Sequence, residues 1–308
     1  MTTQIPTATP QQSVDLPVVP TRHYGRWAGG AVLLVLLAML VNTLFTNPRF
    51  QWDVVGEYLT STQILDGLIT TLWLTLVAMG IGIVLGTVLA VMRMSPNRLV
   101  SGSASAYIWF FRGTPLLVQL IFWFNLSALY PRLSLGIPFG PEFVSGSANA
   151  FITVYVAACL GLGLNEGAYM SEIVRAGINS VDPGQRQAAE ALGMSQRRIL
   201  TKIILPQAMR VIIPPTGNQL IGMLKTTSLV SVIALPDLLY SAQLIYSSNF
   251  QTIPLLIVAS IWYLIVTTVL SIGQFFVERH FSKSDNKPTL TFKDIKRIVT
   301  NSRREVSA

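Results

Sequence analysis

The stretch DPGQRQAAEALGMSQRRILTKIILP (residues 182–206) is polar and basic, yet it lies between two apolar runs that are long enough to cross a bilayer. Asp182 can accept hydrogen bonds from the free N–H groups of a first helical turn, and Pro183 suits the first helical position. Gly193 is a natural left-handed helix stop, and Ser195 can cap a second helix. We therefore predict two short helices joined at a glycine. The first would be about 15 Å long, which is too short to span a membrane.

The composition places these helices in a membrane protein. Hydrophobic residues make up 51% of the 308 residues, and charged residues make up only 12%. Because soluble domains carry about 25% charged residues, we predict an all-α, polytopic membrane protein. The one cysteine, Cys159, lies in an apolar run, so an intramolecular disulfide and a cysteine-based metal cluster are excluded.

Six apolar runs approach or exceed the roughly twenty residues that a bilayer crossing requires. They cover residues 27–46, 67–92, 104–129, 149–170, 211–235 and 252–277. The first run could instead be the core of a signal peptide, but the segment before it is unusually long and no small-x-small cleavage site follows, so a membrane span is favoured. Residues 1–26 are rich in Pro, Thr and Gln and are predicted to form a disordered tail, and residues 281–308 form a basic tail.

Glycine and proline mark particular points in these runs. Gly80, Gly82 and Gly86 are spaced as small residues that let helices approach closely in lipid. The sequence FRGTP at residues 111–115 interrupts the third run, and the pair Pro214–Pro215 must kink or restart the fifth helix. We therefore expect close packing along the second span and irregular helices in the third and fifth.

The basic residues predict the orientation of the spans. All but four of the 22 lysine and arginine residues lie in the N-terminal tail, the 93–103 loop, the 175–210 region or residues 278–308. The exceptions are Arg49, Arg112, Arg132 and Lys225. Because positive residues stay cytoplasmic, we predict six spans with both termini in the cytoplasm, and residues 182–206 on the same side. The net charge of +8 then follows from topology and does not indicate nucleic-acid binding.

On pattern alone, residues 182–206 could be an ordinary amphipathic loop helix lying on the membrane. The stretch resembles, however, the EAA loop of ABC-importer permeases, E-A-A-x3-G-x9-I-x-L-P. The matching positions are Ala188, Ala189, Gly193, Ile203, Leu205 and Pro206. Gln187 departs from the pattern, because the family usually has glutamate there.

Neighbouring motifs resemble the polar amino-acid permeases in particular. They are FRGTPLLVQL (111–120), NEGAYMSEIVRAGI (165–178) and ILPQAMRVIIPPTGNQLIGMLKTTSLVSVIALPDLL (204–239). Thr226 is a second departure, because relatives often carry Asp or Asn there. The likeness covers roughly residues 62–280, which would be the permease domain, and residues 27–46 would be an extra N-terminal transmembrane helix.

The resemblance implies a permease subunit, in the inner membrane, of an importer for a polar amino acid or a related small amine. The first short helix would be a coupling helix that docks in a cleft of a cytoplasmic ATPase. Its contact residues would be Gln185, Gln187, Ala188, Ala189 and Gly193. Two ATPase copies, an extracytoplasmic solute-binding protein and a second permease, identical or similar, would complete the assembly. The ATPases would bind ATP and magnesium, and this chain would carry neither a cofactor nor a catalytic residue.

Several polar side chains within the spans could line a path for a zwitterion. They are Gln119, Asn165, Glu166, Tyr169, Asn218, Gln219, Thr226 and Ser228. Glu166 could bind the ammonium group of the substrate, and nearby donors could bind its carboxylate. Each of these residues could instead make an interhelical hydrogen bond, worth about 0.6 kcal/mol in a membrane.

Two basic residues lie within predicted spans, where a charge costs about 2.5–3.5 kcal/mol on insertion scales. Arg112 is expected to snorkel or to have another structural role, with substrate contact as the alternative. Lys225 is expected to form a salt bridge with an interior carboxylate such as Glu166 or Glu172, with direct substrate contact as the alternative.

Two other classes of function are open on the sequence alone. An ATP-independent channel or secondary transporter would not need residues 182–206 as a docking element. An intramembrane enzyme would need a nucleophile and a base, yet the chain has no His-Glu-x-x-His or G-x-S-x-G motif and its two histidines lie in opposite tails. A Walker A motif is also missing from the sequence, so ATP would have to be hydrolysed by a partner.

Overall fold

The computed structural model describes residues 24–137 and 142–282, and most of them are helical. The helices are α1 (Tyr24–Thr46), α2 (Trp52–Tyr58), α3 (Thr62–Arg93), α4 (Arg98–Gly113), α5 (Leu116–Phe124), α6 (Leu126–Leu129), α7 (Ala148–Phe151), α8 (Val154–Asn179), α9 (Pro183–Ala191), α10 (Gln196–Ile199), α11 (Leu205–Thr226), α12 (Leu238–Asn249) and α13 (Thr252–Ser282). Short 3-10 helices cover Pro48–Phe50 and Thr227–Ile233, and a π-helical segment covers Leu200–Ile204. Residues 1–23 and 283–308, which make up most of the two predicted tails, lie outside the described residues.

One element departs from the predicted all-α class. Strands β1 (Arg132–Gly136) and β2 (Glu142–Ser147) pair as an antiparallel hairpin between α6 and α7. The hairpin leaves little signal in the sequence, because β1 directly follows the third apolar run and is only five residues long. The helical membrane fold is otherwise confirmed.

The described helices supply fewer clear spans than the six predicted. Ala28–Thr46, α3 and Thr252–Phe281 are each long and apolar enough to cross a membrane. Two bent helix pairs could each count as one further span, which gives three to five spans by length and composition. The predicted fourth span lies in α8, which is not among them and which carries the polar residues Asn165 and Glu166.

The described helices belong to two compact units. α1 lies in one unit, and its apolar side chains are exposed. The other helices form the second unit, residues 49–286. Its larger core is built from buried apolar residues of α3, α8 and α11 together with the 3-10 helix that follows α11.

Within the second unit, α3 and α8 pack closely along their length, because glycines of α3 lie opposite side chains of α8. A Cβ atom on Gly82 would lie 2.5 Å from Cγ of Glu166, and one on Gly86 would lie 2.5 Å from Cβ of Met170. The expected close approach therefore occurs at these two positions. It does not occur at Gly80, whose surroundings are open to at least 4 Å.

The predicted third span, residues 104–129, is two elements that meet at 100°. α4 ends at Gly113, and Thr114 is extended (φ −107°, ψ 141°) before Pro115. A residue that precedes proline is disfavoured in the α conformation, so the helix cannot continue through this point. The interruption at residues 111–115 was expected, but a sharp change of direction was not.

The expected restart at Pro214 and Pro215 is wrong, because α11 runs without a break through both prolines. The expected kink stays a prediction. Side-chain donors supplement the backbone hydrogen bonds here. Thr216 Oγ1 donates to the carbonyl of Ile212 at 2.8 Å, and Gln274 Nε2 of α13 donates to the carbonyl of Pro214 at 2.7 Å. These two bonds brace α11 beside the prolines, whereas the carbonyls that lose their helical N–H donor are those of Arg210 and Val211, four residues earlier.

Candidate functional site

A cavity of about 300 Å³ opens between α5, α8, α11 and the 3-10 helix after α11. Its lining consists of Leu116, Asn165, Glu166, Tyr169, Gln219, Gly222, Met223, Thr226 and Leu229. Five of the eight predicted substrate-path residues thus come together in one place. They are Asn165, Glu166, Tyr169, Gln219 and Thr226.

Glu166 is the only ionisable carboxylate in this lining. The residue is 5% exposed, and Gln219 Nε2 donates to its Oε1 at 3.2 Å. Among the described residues, no lysine or arginine forms an ion pair with it. Nor do the described residues contain any group of three His, Cys, Asp or Glu side chains that could hold a metal ion. The carboxylate therefore lines the cavity with an uncharged amide as its partner.

Gln119 and Asn165 hold the bend between α4 and α5. Gln119 Nε2 donates to Thr114 Oγ1 at 2.7 Å and to the carbonyl of Phe111 at 3.0 Å. Asn165 Nδ2 donates to the same Phe111 carbonyl at 2.8 Å and to Gln119 Oε1 at 3.3 Å. These amides satisfy groups that the broken helix leaves free, which gives Gln119 a structural role behind the cavity wall.

Two predicted substrate-path residues lie elsewhere. Asn218 is exposed and does not line the cavity. Adjacent residues of an α-helix point in directions about 100° apart, so Asn218 and Gln219 lie on different faces of α11. Ser228 lines a different cavity of about 300 Å³, together with Lys225 and Tyr263, and its hydroxyl donates to the carbonyl of Lys225 at 2.7 Å. The structure therefore does not support these two residues as part of the path around Glu166.

A second carboxylate on α8, Glu172, is surrounded by arginines. Arg93 Nη1 bonds its Oε1, and Arg175 Nη2 and Nε bond its Oε2 at 2.7 and 3.1 Å. Arg112 Nη1 lies 3.8 Å from Oε1, and its guanidinium stands 5.2 Å from the centre of the Tyr169 ring. We call Arg93, Arg112, Glu172 and Arg175 the Glu172 cluster. The structural role expected for Arg112 agrees with these contacts.

The predicted salt bridge of Lys225 with Glu166 or Glu172 is wrong. Arginines of α3, α4 and α8 already occupy Glu172, and Gln219 occupies Glu166. Lys225 is exposed and, among the described residues, has no ion-pair partner. The sequence analysis overlooked Arg93 as a partner because it lies 79 residues from Glu172 along the chain. The spacing of Glu172 and Arg175, three residues on one helix, was a local signal of their pairing.

The stretch from Asp182 to Gly193 has the predicted helix-glycine geometry. Asp182 Oδ1 accepts a hydrogen bond from the N–H of Gly184 at 2.7 Å, and α9 begins at Pro183. Gly193 adopts φ +74°, and the N–H of Met194 donates to the carbonyl of Ala189 at 3.1 Å. A left-handed glycine that ends a helix in this way fixes the direction of the next element.

The second predicted short helix is the start of a longer one. α10 passes through the π-helical segment into α11, so residues 196–226 are helical without a break. Ser195 occupies the N-cap position of α10, but its hydroxyl makes no capping hydrogen bond. The prediction of a Ser195 cap is therefore wrong, while its position at the helix start is right.

The predicted coupling residues divide by exposure. Gln185, Gln187, Ala188 and Gly193 are exposed, whereas Ala189 is 2% exposed. Ala189 packs in a small cluster with Ile199 and Ile204, so it holds α9 against the chain itself and does not face outward. Its expected place at a partner contact is corrected, because the helix turns this one side chain inward.

A hydrogen-bonded triangle connects α9 to α10 across Gly193. Arg186 Nη2 donates to Gln196 Oε1 at 3.0 Å, and Gln196 Nε2 donates to Glu190 Oε1 at 2.9 Å. Arg186 Nε lies 3.3 Å from the same Glu190 oxygen. The sequence analysis missed this triangle, although Arg186 and Glu190 have the four-residue spacing of helical ion pairs.

Comparison with known proteins identifies the class of protein to which these features belong. The family described as "Binding-protein-dependent transport system inner membrane component" matches residues 82–283. The arginine transport system permease protein ArgU of Corynebacterium glutamicum is 44% identical over 294 residues, covering 95% of this chain and 91% of that protein. The nopaline transport system permease protein NocM of Agrobacterium fabrum is 36% identical over 209 residues, covering 68% of this chain and 83% of that protein.

Solved structures give the same result. A chain from a crystal structure of an amino acid ABC transporter with histidines is 37% identical, with a TM-score of 0.60 over 71% of this chain and 94% of that chain. A chain of the MetNI methionine ABC transporter in an inward-facing form shares the fold at 16% identity and a TM-score of 0.58, over 72% of this chain and 97% of that chain. The alternative of a channel or secondary transporter finds no support in these matches. The chain belongs to the family of inner-membrane components of binding-protein-dependent transport systems.

Proposed function

We propose that this chain is the permease subunit of an ABC importer for a cationic amino acid, and that Glu166 binds the positive group of the substrate. The observation that carries the proposal is a buried carboxylate that lines a cavity and whose one side-chain partner, within the described part of the chain, is a neutral amide. Burying a charge is costly unless it is paired. A cationic substrate would supply the missing charge each time it enters.

The cavity suits a small polar molecule. Its volume of about 300 Å³ lies at the lower end of the range for small-molecule sites, which is roughly 300–1,000 Å³. Its lining also contains the apolar side chains of Leu116, Met223 and Leu229. A bound substrate would therefore contact both polar and apolar groups. The arginine transport named for the ArgU relative supports the choice of a cationic amino acid over a neutral one.

The exposed face of α9 is the proposed contact with the ATPase. Gln185, Gln187 and Ala188 present short or uncharged side chains, and Gly193 sets the direction of the element that follows. The triangle of Arg186, Glu190 and Gln196 would hold α9 rigidly against the start of the long helix 196–226, so that the two move together. With glutamine in place of glutamate at position 187, the contact would rely on hydrogen bonds more than on charge.

The proposed assembly contains two permeases, identical or similar, two ATPase subunits and one extracytoplasmic solute-binding protein. Both termini of this chain, including residues 1–26 and 281–308, would lie in the cytoplasm with α9. ATP and magnesium would bind to the ATPase subunits, and this chain would need no cofactor and would bind no nucleic acid. The family match supports an ATPase and a binding protein as partners.

Copurification followed by an activity assay tests the proposal. The full-length chain would be coexpressed with the ATPase, reconstituted with the binding protein, and supplied with arginine, histidine or glutamine. We expect ATP turnover that depends on loaded binding protein and is highest with a cationic amino acid. Transport of neutral amino acids alone would overturn the substrate class. Transport without any copurified ATPase would overturn the assignment of this chain to an ATP-driven importer.

A further inference from the structure

A second cavity lies beside the Glu172 cluster and has no part in the proposed substrate path. It has a volume of about 430 Å³ and opens between α3, α4 and α8. Arg93 and Arg112 form its basic wall, and Trp109 forms part of its rim. Tyr169 lies between the two cavities and lines both. What this second cavity could bind is therefore a separate question from the substrate path.

The charge of this cavity is positive. Three guanidinium groups share the single carboxylate of Glu172, so the cluster keeps an excess of positive charge. The side chains of Arg93, Arg112 and Arg175 are 32%, 45% and 35% exposed. Arg112 is the most loosely held of the three, because its nearest nitrogen is 3.8 Å from the carboxylate. Its guanidinium therefore has donors available for an anion.

The elements around the cavity fit a position near the lipid headgroups. α3 contains 32 residues and is about 48 Å long, which exceeds a hydrocarbon core of about 30 Å, so at least one of its ends extends beyond the hydrocarbon. Its last residue is Arg93, and a charged side chain favours such an end. On α4, Leu99, Trp109 and Phe110 are 83%, 77% and 51% exposed. Tryptophan is enriched at the membrane–water interface because its ring is amphipathic. A basic cavity that is lined by exposed Trp109, on a helix with further exposed apolar side chains, fits a ligand that has an anionic head and an apolar tail.

We propose that this cavity binds the phosphate group of an anionic phospholipid. Arg112, with Arg93, would donate hydrogen bonds to the phosphate oxygens, because a guanidinium fork matches the geometry of phosphate. Trp109 and its apolar neighbours would contact the acyl chains. Basic cavities between membrane helices are suited to lipid headgroups in this way. A free phosphate would satisfy the arginines but would leave the apolar groups without a function, which favours the lipid.

Nanodiscs of defined composition test the proposal with the full-length chain. We would compare phosphatidylcholine alone with phosphatidylcholine mixed with phosphatidylglycerol, and measure the midpoint of thermal unfolding and the lipids retained in native mass spectrometry. For the unaltered protein we expect retained phosphatidylglycerol and a midpoint higher by roughly 3 °C or more in the mixture. Arg112→Gln should lower the retention of phosphatidylglycerol about tenfold, as loss of one charged hydrogen bond predicts.

Two further variants separate lipid binding from bracing of the helices. Trp109→Ala keeps every charge of the cluster and changes an exposed residue, so it should fold normally and still retain less phosphatidylglycerol. Arg132→Gln removes an exposed positive charge from the β1–β2 hairpin and should retain lipid as the unaltered protein does. An Arg112→Gln protein whose midpoint falls equally in both nanodiscs, with normal lipid retention, would overturn the proposal. Inorganic phosphate that produces the full shift in phosphatidylcholine alone would also overturn it.

Discussion

Glu166 and Glu172 lie six residues apart on α8, yet their surroundings are opposite. Glu166 is buried, lines a cavity and accepts hydrogen bonds from the neutral amide of Gln219, at 3.2 Å to Oε1 and 3.5 Å to Oε2. Glu172 is partly exposed and is surrounded by the guanidinium groups of Arg93, Arg112 and Arg175. Within residues 24–137 and 142–282, Glu166 has no cationic partner, while Glu172 has more cations than it can neutralise.

The difference shows how one helix can present two kinds of site. A buried carboxylate without a counter-ion gains free energy when a cation enters its cavity. A carboxylate that already binds several arginines offers nothing to a cation, but its arginines can receive an anion. The two sites face each other across Tyr169, whose ring is also the surface against which Arg112 stacks. The following predictions test this contrast in order of expected effect.

The largest effect is expected for Glu166→Gln. This change removes the negative charge but keeps the size of the side chain and an oxygen that can accept from Gln219. A lost hydrogen bond between charged groups costs about 1.5–3 kcal/mol, so uptake of a cationic amino acid should fall about tenfold or more. Stability should not fall, because a neutral side chain costs less to bury. Uptake into proteoliposomes and thermal unfolding measure the two quantities, and normal uptake would contradict the assignment.

Gly82→Ala should disturb the same carboxylate from behind. The new Cβ would lie 2.5 Å from Cγ and 2.8 Å from Cβ of Glu166, so the side chain or the two helices must move. Overpacking of this kind costs about 1–3 kcal/mol. Gly80→Ala is the matched control, because its Cβ would have no neighbour within 4 Å. Chemical or thermal unfolding of both variants checks this prediction, and an equal response of the two would show that α3 and α8 are not as closely packed as described.

Glu172→Gln should separate stability from substrate binding. It leaves three arginines without their shared carboxylate, and we expect a loss of roughly 1–2 kcal/mol, reduced from the value for a fully buried site because the side chains are partly exposed. The unfolding midpoint should fall by a few degrees. The choice of substrate should be unchanged, as a competition assay among amino acids would show. A switch of substrate preference in this variant would mean that the two carboxylates are not independent.

The smallest effect is expected for Gln219→Met, which keeps the length of the side chain and removes the amide that donates to both oxygens of Glu166. An interhelical hydrogen bond in a membrane is worth about 0.6 kcal/mol. Apparent substrate affinity should therefore change by about threefold. Titration of substrate-dependent ATP turnover is sensitive enough to detect this change. An effect as large as that of Glu166→Gln would make Gln219 a direct substrate contact.

Local features of the fold could be predicted from the sequence, whereas pairings between distant residues could not. The cap at Asp182 and the left-handed turn at Gly193 depend on neighbouring residues, and both were predicted correctly. The pairing of Glu172 with Arg93 depends on how α3 and α8 pack, which the sequence does not show. The predicted pairing with Lys225 is therefore wrong. Similarly, Gly80 and Gly82 have the same residue type and nearly the same position, and only the packing shows which of them faces α8.

The candidate site was predictable as a set of residues but not as a shape. Polar side chains in apolar runs are costly, which drew attention to Asn165, Glu166 and Gln219. Their convergence on one cavity depends on the bend before α5, and the sequence indicated an interruption at residues 111–115 without its 100° angle. Ser228 belongs to the same sequence motif as Thr226. It lies two positions further along the helical chain, however, and so faces a different cavity.

Equilibrium binding of radiolabelled arginine to the purified complex tests the central claim most directly. It would be measured side by side for the unaltered protein, Glu166→Gln and Glu172→Gln, in nanodiscs and without the solute-binding protein. The contrast between the two carboxylates predicts that Glu172→Gln binds arginine as the unaltered protein does, while Glu166→Gln binds it at least about tenfold more weakly. Equal binding by all three proteins, or a loss confined to Glu172→Gln, would contradict it.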